Sequence, residues 1–117
     1  MHYRIGTRGS KLALVQSEYV KRRMEEAYPE DTFELVIIKT TGDKVTDKPL
    51  AAIGTKGLFV REIEEELLSG SIDMAVHSMK DMPAECATGL TFAKAWKRED
   101  CRDVLILKTA GSFSELP

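Results

Sequence analysis

Apolar and polar positions alternate along the chain in stretches of different period, and the period changes mark the elements. Tyr3-Arg4-Ile5-Gly6-Thr7 is short and alternating, which predicts an opening strand. Leu12, Val15, Tyr19, Val20, Met24 and Ala27 then recur at helical spacing behind Ser10, a residue suited to capping a helix. That helix should stop before Pro29, because proline pushes the residue ahead of it out of helical geometry. Thr32 to Lys39, rich in Phe, Val and Ile, predicts a second strand.

The pattern breaks from Thr40 to Thr55, where Gly42, Pro49 and Gly54 sit among small and charged residues. A long loop is expected there, and loops of that length are commonly lids. Gly57 opens a second expected helix, with Phe59, Val60, Ile63 and Leu67 on one face and Glu62, Glu64, Glu65 and Glu66 mostly outward. Ser69-Gly70 should end it, Ile72 to Val76 should form a third strand, and Leu90 to Trp96 a fourth.

Strand, helix, strand, helix, strand is the order of an α/β fold with a mainly parallel sheet flanked by helices. Ligands of such sheets sit beyond the carboxyl ends of the strands. Thr7-Arg8-Gly9-Ser10, the loop after Lys39, and His77-Ser78-Met79-Lys80-Asp81 therefore share one rim. A charge-dense run, Lys97 to Asp103, follows, and then Val104-Leu105-Ile106-Leu107 and a helix start at Ser112. A strand and a begun helix behind a charged linker suggest the first elements of a second lobe.

Composition narrows the classes. A chain of 117 residues with 43% hydrophobic and 31% charged residues has the size and make-up of one ordinary globular domain. A net charge of −2 argues against a nucleic-acid footprint, which is basic. No stretch reaches the ~18 apolar residues of a membrane span, and the N-terminus lacks the pattern of a signal peptide, so a cytoplasmic location is expected. Cys86 and Cys101 belong to no CxxC pair or His/Cys cluster, and both are expected as free thiols with no metal site.

The rim clusters carry the candidate chemistry. A strand running through Gly9 into a Ser10-capped helix leaves helix N–H groups facing an anion, beside the guanidinium of Arg8. The same residues also describe an ordinary capped helix with a surface arginine. Gly54-Thr55-Lys56-Gly57 lacks the order of a phosphate loop, and G-x-G-x-x-G is absent; Lys56 reads as a lysine on a lid or a solvated loop lysine. Lys80 and Asp81 admit a division of labour, cation to substrate acid and carboxylate to an N–H donor, or a rim ion pair worth at most ~1 kcal/mol. His77 is expected to pack beside the core strand, and Met79 and Met82 to fill core gaps.

Taken together, Arg4 to Leu14, Lys56 to Glu64, Ala75 to Pro83 and Arg98 to Asp103 resemble, in order and spacing, the porphobilinogen deaminase (hydroxymethylbilane synthase) family. The resemblance implies a transferase that polymerises four porphobilinogen units, with loss of ammonia, into the linear tetrapyrrole precursor of haem. It implies three domains, the first two like lobes of periplasmic binding proteins and the third carrying a cysteine with a covalent dipyrromethane. On this likeness Arg8, Ser10, Ser78 and Lys80 bind acid side chains of the pyrroles. Asp81 is the catalytic carboxylate at the pyrrole nitrogens, Lys56 lies on the flexible loop over the cleft, and Phe59 packs near the cofactor.

Along the family pattern, residues 1–97 correspond to most of the first domain, 98–103 to the crossover, and 104–117 to the start of a truncated second domain. Neither Cys86 nor Cys101 matches the cofactor-bearing cysteine, and Cys101 stands where the family commonly has proline. The expectation is a stretch of roughly a third of the family's length, inactive alone, without covalent primer, prone to self-association, from a protein that is monomeric when whole. A non-catalytic lobe of periplasmic-binding-protein type that captures a small organic anion is the alternative. Asp81 separates the two, since a plain anion binder gains nothing from a carboxylate among its cations.

Overall fold

The computed structural model describes residues 1–44 and 59–97. Strand β1 is His2–Thr7, helix α1 Lys11–Ala27, β2 Thr32–Ile37, α2 the single turn Thr41–Lys44, α3 Arg61–Ser69 and β3 Met74–Ala75; a 3-10 turn follows at Met79–Asp81. All three strands are parallel and run in the order β2–β1–β3, so the first strand is the central one. His2 pairs with Thr32 through to Thr7 with Ile37, while Ile5 and Gly6 pair with Met74 and Ala75. This is the expected α/β arrangement, a small parallel sheet flanked by helices.

Three consecutive residues of β1, Ile5, Gly6 and Thr7, are buried. Side chains alternate across a strand, so burial of three in a row means that both faces of β1 are covered. Ile5, Phe33, Val60, Ile63 and Ile72 make up the apolar core, and Tyr3 and Phe33 stack across the first strand pair at 5.3 Å. The outer end of β3 is tied to β1 by Arg4, whose Nε and Nη2 donate to Asp73 at 3.0 Å while its backbone N–H donates to Asp73 Oδ2 at 2.8 Å. That exchange, largest in the direct side-chain hydrogen bonds, holds the Asp73 carboxyl below its usual range.

Helix α1 begins as expected. Ser10 Oγ accepts from the N–H of Ala13 at 3.3 Å, and the helix closes at Tyr28, whose N–H donates to Met24, one residue before Pro29. Its packed face differs from the apolar stripe. Leu12 and Val15 are 55% and 68% exposed, whereas Ser17 is fully buried and donates to Thr7 Oγ1 at 2.6 Å. Ser17 is the helix side chain bonded to the sheet, and of the expected stripe Val20 and Met24 are half-buried while Leu12, Val15 and Tyr19 are exposed. Helix α3 ends at Gly70, as expected, in the left-handed region at φ 74, with its N–H on the carbonyls of Glu66 and Leu67.

Other expectations are corrected. The stretch from Thr40 does not begin as loop; Thr40-Thr41-Gly42-Asp43 enters the turn α2, with Asp43 N donating to Thr40 O at 3.1 Å. The third strand is two residues rather than five, although Asp73 N to Arg4 O and Val76 N to Gly6 O continue its backbone bonding at both ends. Leu90 to Trp96 is not a strand: residues 91–97 are irregular and exposed. Among the described residues no further strand lies in the sheet beside it, and extended backbone without a neighbour has nowhere to place its hydrogen bonds but water. Glu62, Glu64 and Glu66 are half-buried, so only Glu65 of the four is fully outward, and Met79 is 71% exposed instead of filling a core gap. Lys56, Gly57, Cys101, residues 98–103 and residues 104–117 lie outside the described residues.

Candidate functional site

Because β1 is central, its carboxyl end lies between those of β2 and β3, and the segment following each strand meets the others there. Arg8 and Ser10 follow β1, Thr40 and Asp43 follow β2, and Ser78, Lys80 and Asp81 follow β3. Arg8, Ser10, Phe59, Ser78, Lys80 and Asp81 line one cleft of about 200 Å³, with Gln16, His77 and apolar Leu12, Ala13 and Val76. Six of the seven candidate residues thus come together; the seventh, Lys56, is outside the described residues.

Arg8 is the most constrained of them, with its side chain 19% exposed. Its Nη2 donates to Asp43 Oδ1 at 2.6 Å and its Nε donates to the same oxygen at 3.2 Å. The guanidinium carbon lies 3.9 Å from the centroid of the Phe59 ring, a cation–π distance. Asp43 also accepts from the Thr40 hydroxyl at 2.7 Å and the Thr40 N–H at 3.3 Å. Burial opposes ionisation of Asp43, but the hydrogen bonds from Arg8 and then from Thr40 outweigh it and hold its carboxyl below the usual range.

The β3 side is built differently. Ser78 Oγ donates to Gln16 Oε1 at 2.8 Å, which joins the segment after β3 to helix α1. Asp81 is half-buried in the 3-10 turn and Lys80 is exposed, and the two form no ion pair with each other among the described residues. Adjacent residues in a helical turn point apart, so each is left to face the cleft separately. His77 is half-buried at the same wall. Burial lowers its pKa, the Asp81 charge opposes that, and the Arg8 charge adds to it. An imidazole kept neutral in this way suits the packing role expected of it.

Two residues of the site escaped the sequence reading. Gln16 is a polar residue on the inward stripe of α1, a position where only a partner for its amide justifies it. Asp43 had a local signal: Thr40-x-x-Asp43 has the spacing of a capping box, and the structure shows one half of that exchange, the Thr40 N–H on Asp43 Oδ2, while the Asp43 N–H donates to the Thr40 carbonyl instead of its hydroxyl. Cys86 is a half-buried free thiol that does not line the cleft. Among the described residues, no group of three or more His, Cys, Asp or Glu side chains is placed to share a metal ion, and no helix is long and apolar enough to cross a membrane.

A sequence profile described as "Porphobilinogen deaminase, dipyromethane cofactor binding domain" matches residues 3–117. The chain belongs to the porphobilinogen deaminase family. It is 97% identical over all of its 117 residues to a porphobilinogen deaminase of Lachnospira eligens, covering 40% of that protein. It is 58% identical over 108 residues to one from Clostridioides difficile and 55% identical over 114 residues to one from Syntrophus aciditrophicus, covering 92% and 97% of the chain and 36% and 37% of those proteins. The chain therefore spans about two fifths of the length of the curated porphobilinogen deaminases it matches.

Proposed function

We propose that this chain supplies the first lobe of a transferase that joins four porphobilinogen units, with loss of ammonia, into hydroxymethylbilane for tetrapyrrole and haem synthesis. The observation that carries the reading is the charge pattern of the cleft: among the described residues that line it, one carboxylate, Asp81, stands in a wall otherwise charged by the cations Arg8 and Lys80. A small-anion binder, the competing reading, needs only the cations. Porphobilinogen carries acid side chains and a pyrrole N–H, and needs both signs.

In this reading Arg8, Lys80 and the hydroxyls of Ser10 and Ser78 hold the acid side chains, and Lys56, outside the described residues, is a further cation for them. Asp81 accepts from the pyrrole N–H. As ammonia leaves, the pyrrole nitrogen gains positive charge, and a fixed carboxylate beside it stabilises that charge and holds the proton. Leu12, Ala13, Val76 and the Phe59 ring give the cleft an apolar wall against which the pyrrole rings can pack.

The donor set also fits a dipyrromethane, whose acid groups and pyrrole N–H match Arg8, Ser10, Lys80 and Asp81, with Phe59 against a ring face. When bound, that group supplies the pyrrole carbon at which chain growth begins. Its attachment is assigned to neither Cys86 nor Cys101. A cleft at the carboxyl edge of a parallel sheet supports a lobe of periplasmic-binding-protein type within residues 1–97; the division into 98–103 as crossover and 104–117 as the start of a second lobe rests on the family pattern alone. The whole protein is read as a cytoplasmic monomer. The test is release of ammonia and formation of a linear tetrapyrrole from porphobilinogen by the full-length protein carrying this segment. Lys80→Ala should raise KM, and absence of ammonia release by the parent protein would refute the reading.

A further inference from the structure

Arg8 does not meet the cleft as a bare cation, and the way it is held has a consequence. An arginine has two donor edges: the side edge of Nε and one Nη, and the end edge of the two Nη groups. Asp43 takes the side edge, through Nε at 3.2 Å and Nη2 at 2.6 Å. The Phe59 ring covers one face of the same guanidinium at 3.9 Å. Position and plane are therefore both fixed, and the end edge, with Nη1 and the second hydrogen of Nη2, is the remaining bidentate fork on a residue that lines the cleft.

Asp43 is itself held from behind. The hydroxyl and N–H of Thr40 occupy its Oδ2, and Thr40 is fully buried. The next residue, Thr41, donates its N–H to Glu62 on α3 at 2.6 Å, which anchors α2 to the helix that Phe59 precedes. Arg8, Asp43 and Phe59 thus form one braced unit drawn from three segments of the chain.

We propose that Asp43 is a positioning residue: it clamps Arg8 side-on so that the end edge of the guanidinium stands ready for one carboxylate of the pyrrole substrate. This rests on the reading of the cleft as a site for acid-bearing pyrroles. Pre-set geometry spares the cost of ordering a long side chain at each binding event, and it appears in KM rather than in the chemical step. A lysine at position 8 concentrates its three donors at one point and could not offer each partner a bidentate fork.

The experiment measures kcat and KM for porphobilinogen in the full-length protein carrying Asp43→Asn, Arg8→Ala, Arg8→Lys and the double variant Asp43→Asn/Arg8→Ala. Asn keeps the shape of Asp and avoids relying on a truncated side chain. Loss of a charged clamp predicts a KM rise of roughly ten- to a hundredfold for Asp43→Asn with kcat changed less than about threefold. In the Arg8→Ala background the same change should move KM by less than about twofold, and Arg8→Lys should match Asp43→Asn rather than the parent. A parent-like KM for Asp43→Asn, or an equal KM rise with and without Arg8, overturns the proposal while leaving the cleft reading in place. A parent-like KM for Arg8→Ala overturns both.

Discussion

Replacing Gly42 with alanine puts a methyl group where the Phe59 ring already lies. A Cβ built on Gly42 would overlap Cε1, Cδ1 and Cζ of that ring, well inside van der Waals contact. The backbone there is not in the left-handed region, so space rather than conformation is the obstacle. Two effects compete. Alanine is favoured over glycine within a helical turn by ~0.5–1 kcal/mol, and overpacking a filled site costs ~1–3 kcal/mol. Neither side yields easily, since α2 is pinned through Thr41 to Glu62 and Phe59 sits immediately before α3 under Arg8. The clash should win, with a net loss of about 1–2 kcal/mol in urea unfolding of the full-length protein. KM should rise as well, because Arg8 loses its plane. The sign reverses when the ring is removed: in a Phe59→Ala background, Gly42→Ala should stabilise by about 0.5–1 kcal/mol. Equal destabilisation in both backgrounds would refute the argument.

Asp73→Ala should lower the urea midpoint in the same unfolding assay, because it strips the partner from the Arg4 side chain and from the Arg4 N–H, and an unchanged midpoint would contradict this. Stability should hold at neutral pH and fall in two stages on acidification. The folded-state pKa of His77 is depressed, so its contribution is complete above about pH 6.5 and declines below it; Asp43 and Asp73 are depressed carboxyls whose contributions are complete above about pH 4 and are lost at lower pH. Melting temperature against pH checks this, and His77→Gln should flatten the upper stage only. The 117-residue segment purified alone should release no ammonia from porphobilinogen, and detectable turnover would contradict the proposed division of the site between this segment and the rest of the protein.

Much of this fold is legible because its signals are local. The Ser10 cap, the stop before Pro29 and the left-handed end at Gly70 follow from single residues, and the element order yields a parallel sheet with its rim. That rim brings Arg8, Ser10, Phe59, Ser78, Lys80 and Asp81 to one cleft. The residues behind the rim are harder to read because tertiary pairing decides them. Arg8 and Asp43 are 35 residues apart, and Ser78 and Gln16 are 62 apart. Periodicity also fails to say which face of α1 packs: the stripe of Leu12, Val15 and Tyr19 has helical spacing, yet the buried Ser17–Thr7 hydrogen bond turns that stripe outward. Leu90 to Trp96 shows the same limit, since strand propensity without an adjacent strand makes no sheet.

Asp81 carries the central claim, and ammonia release by Asp81→Ala in the full-length protein tests it most directly. With the fold shown intact by circular dichroism, the account predicts a fall in kcat of roughly a hundred- to ten-thousandfold with porphobilinogen still bound, and a partial return of activity in Asp81→Glu. Turnover within about threefold of the parent in Asp81→Ala would place the catalytic carboxylate elsewhere and leave this cleft a site for anions alone.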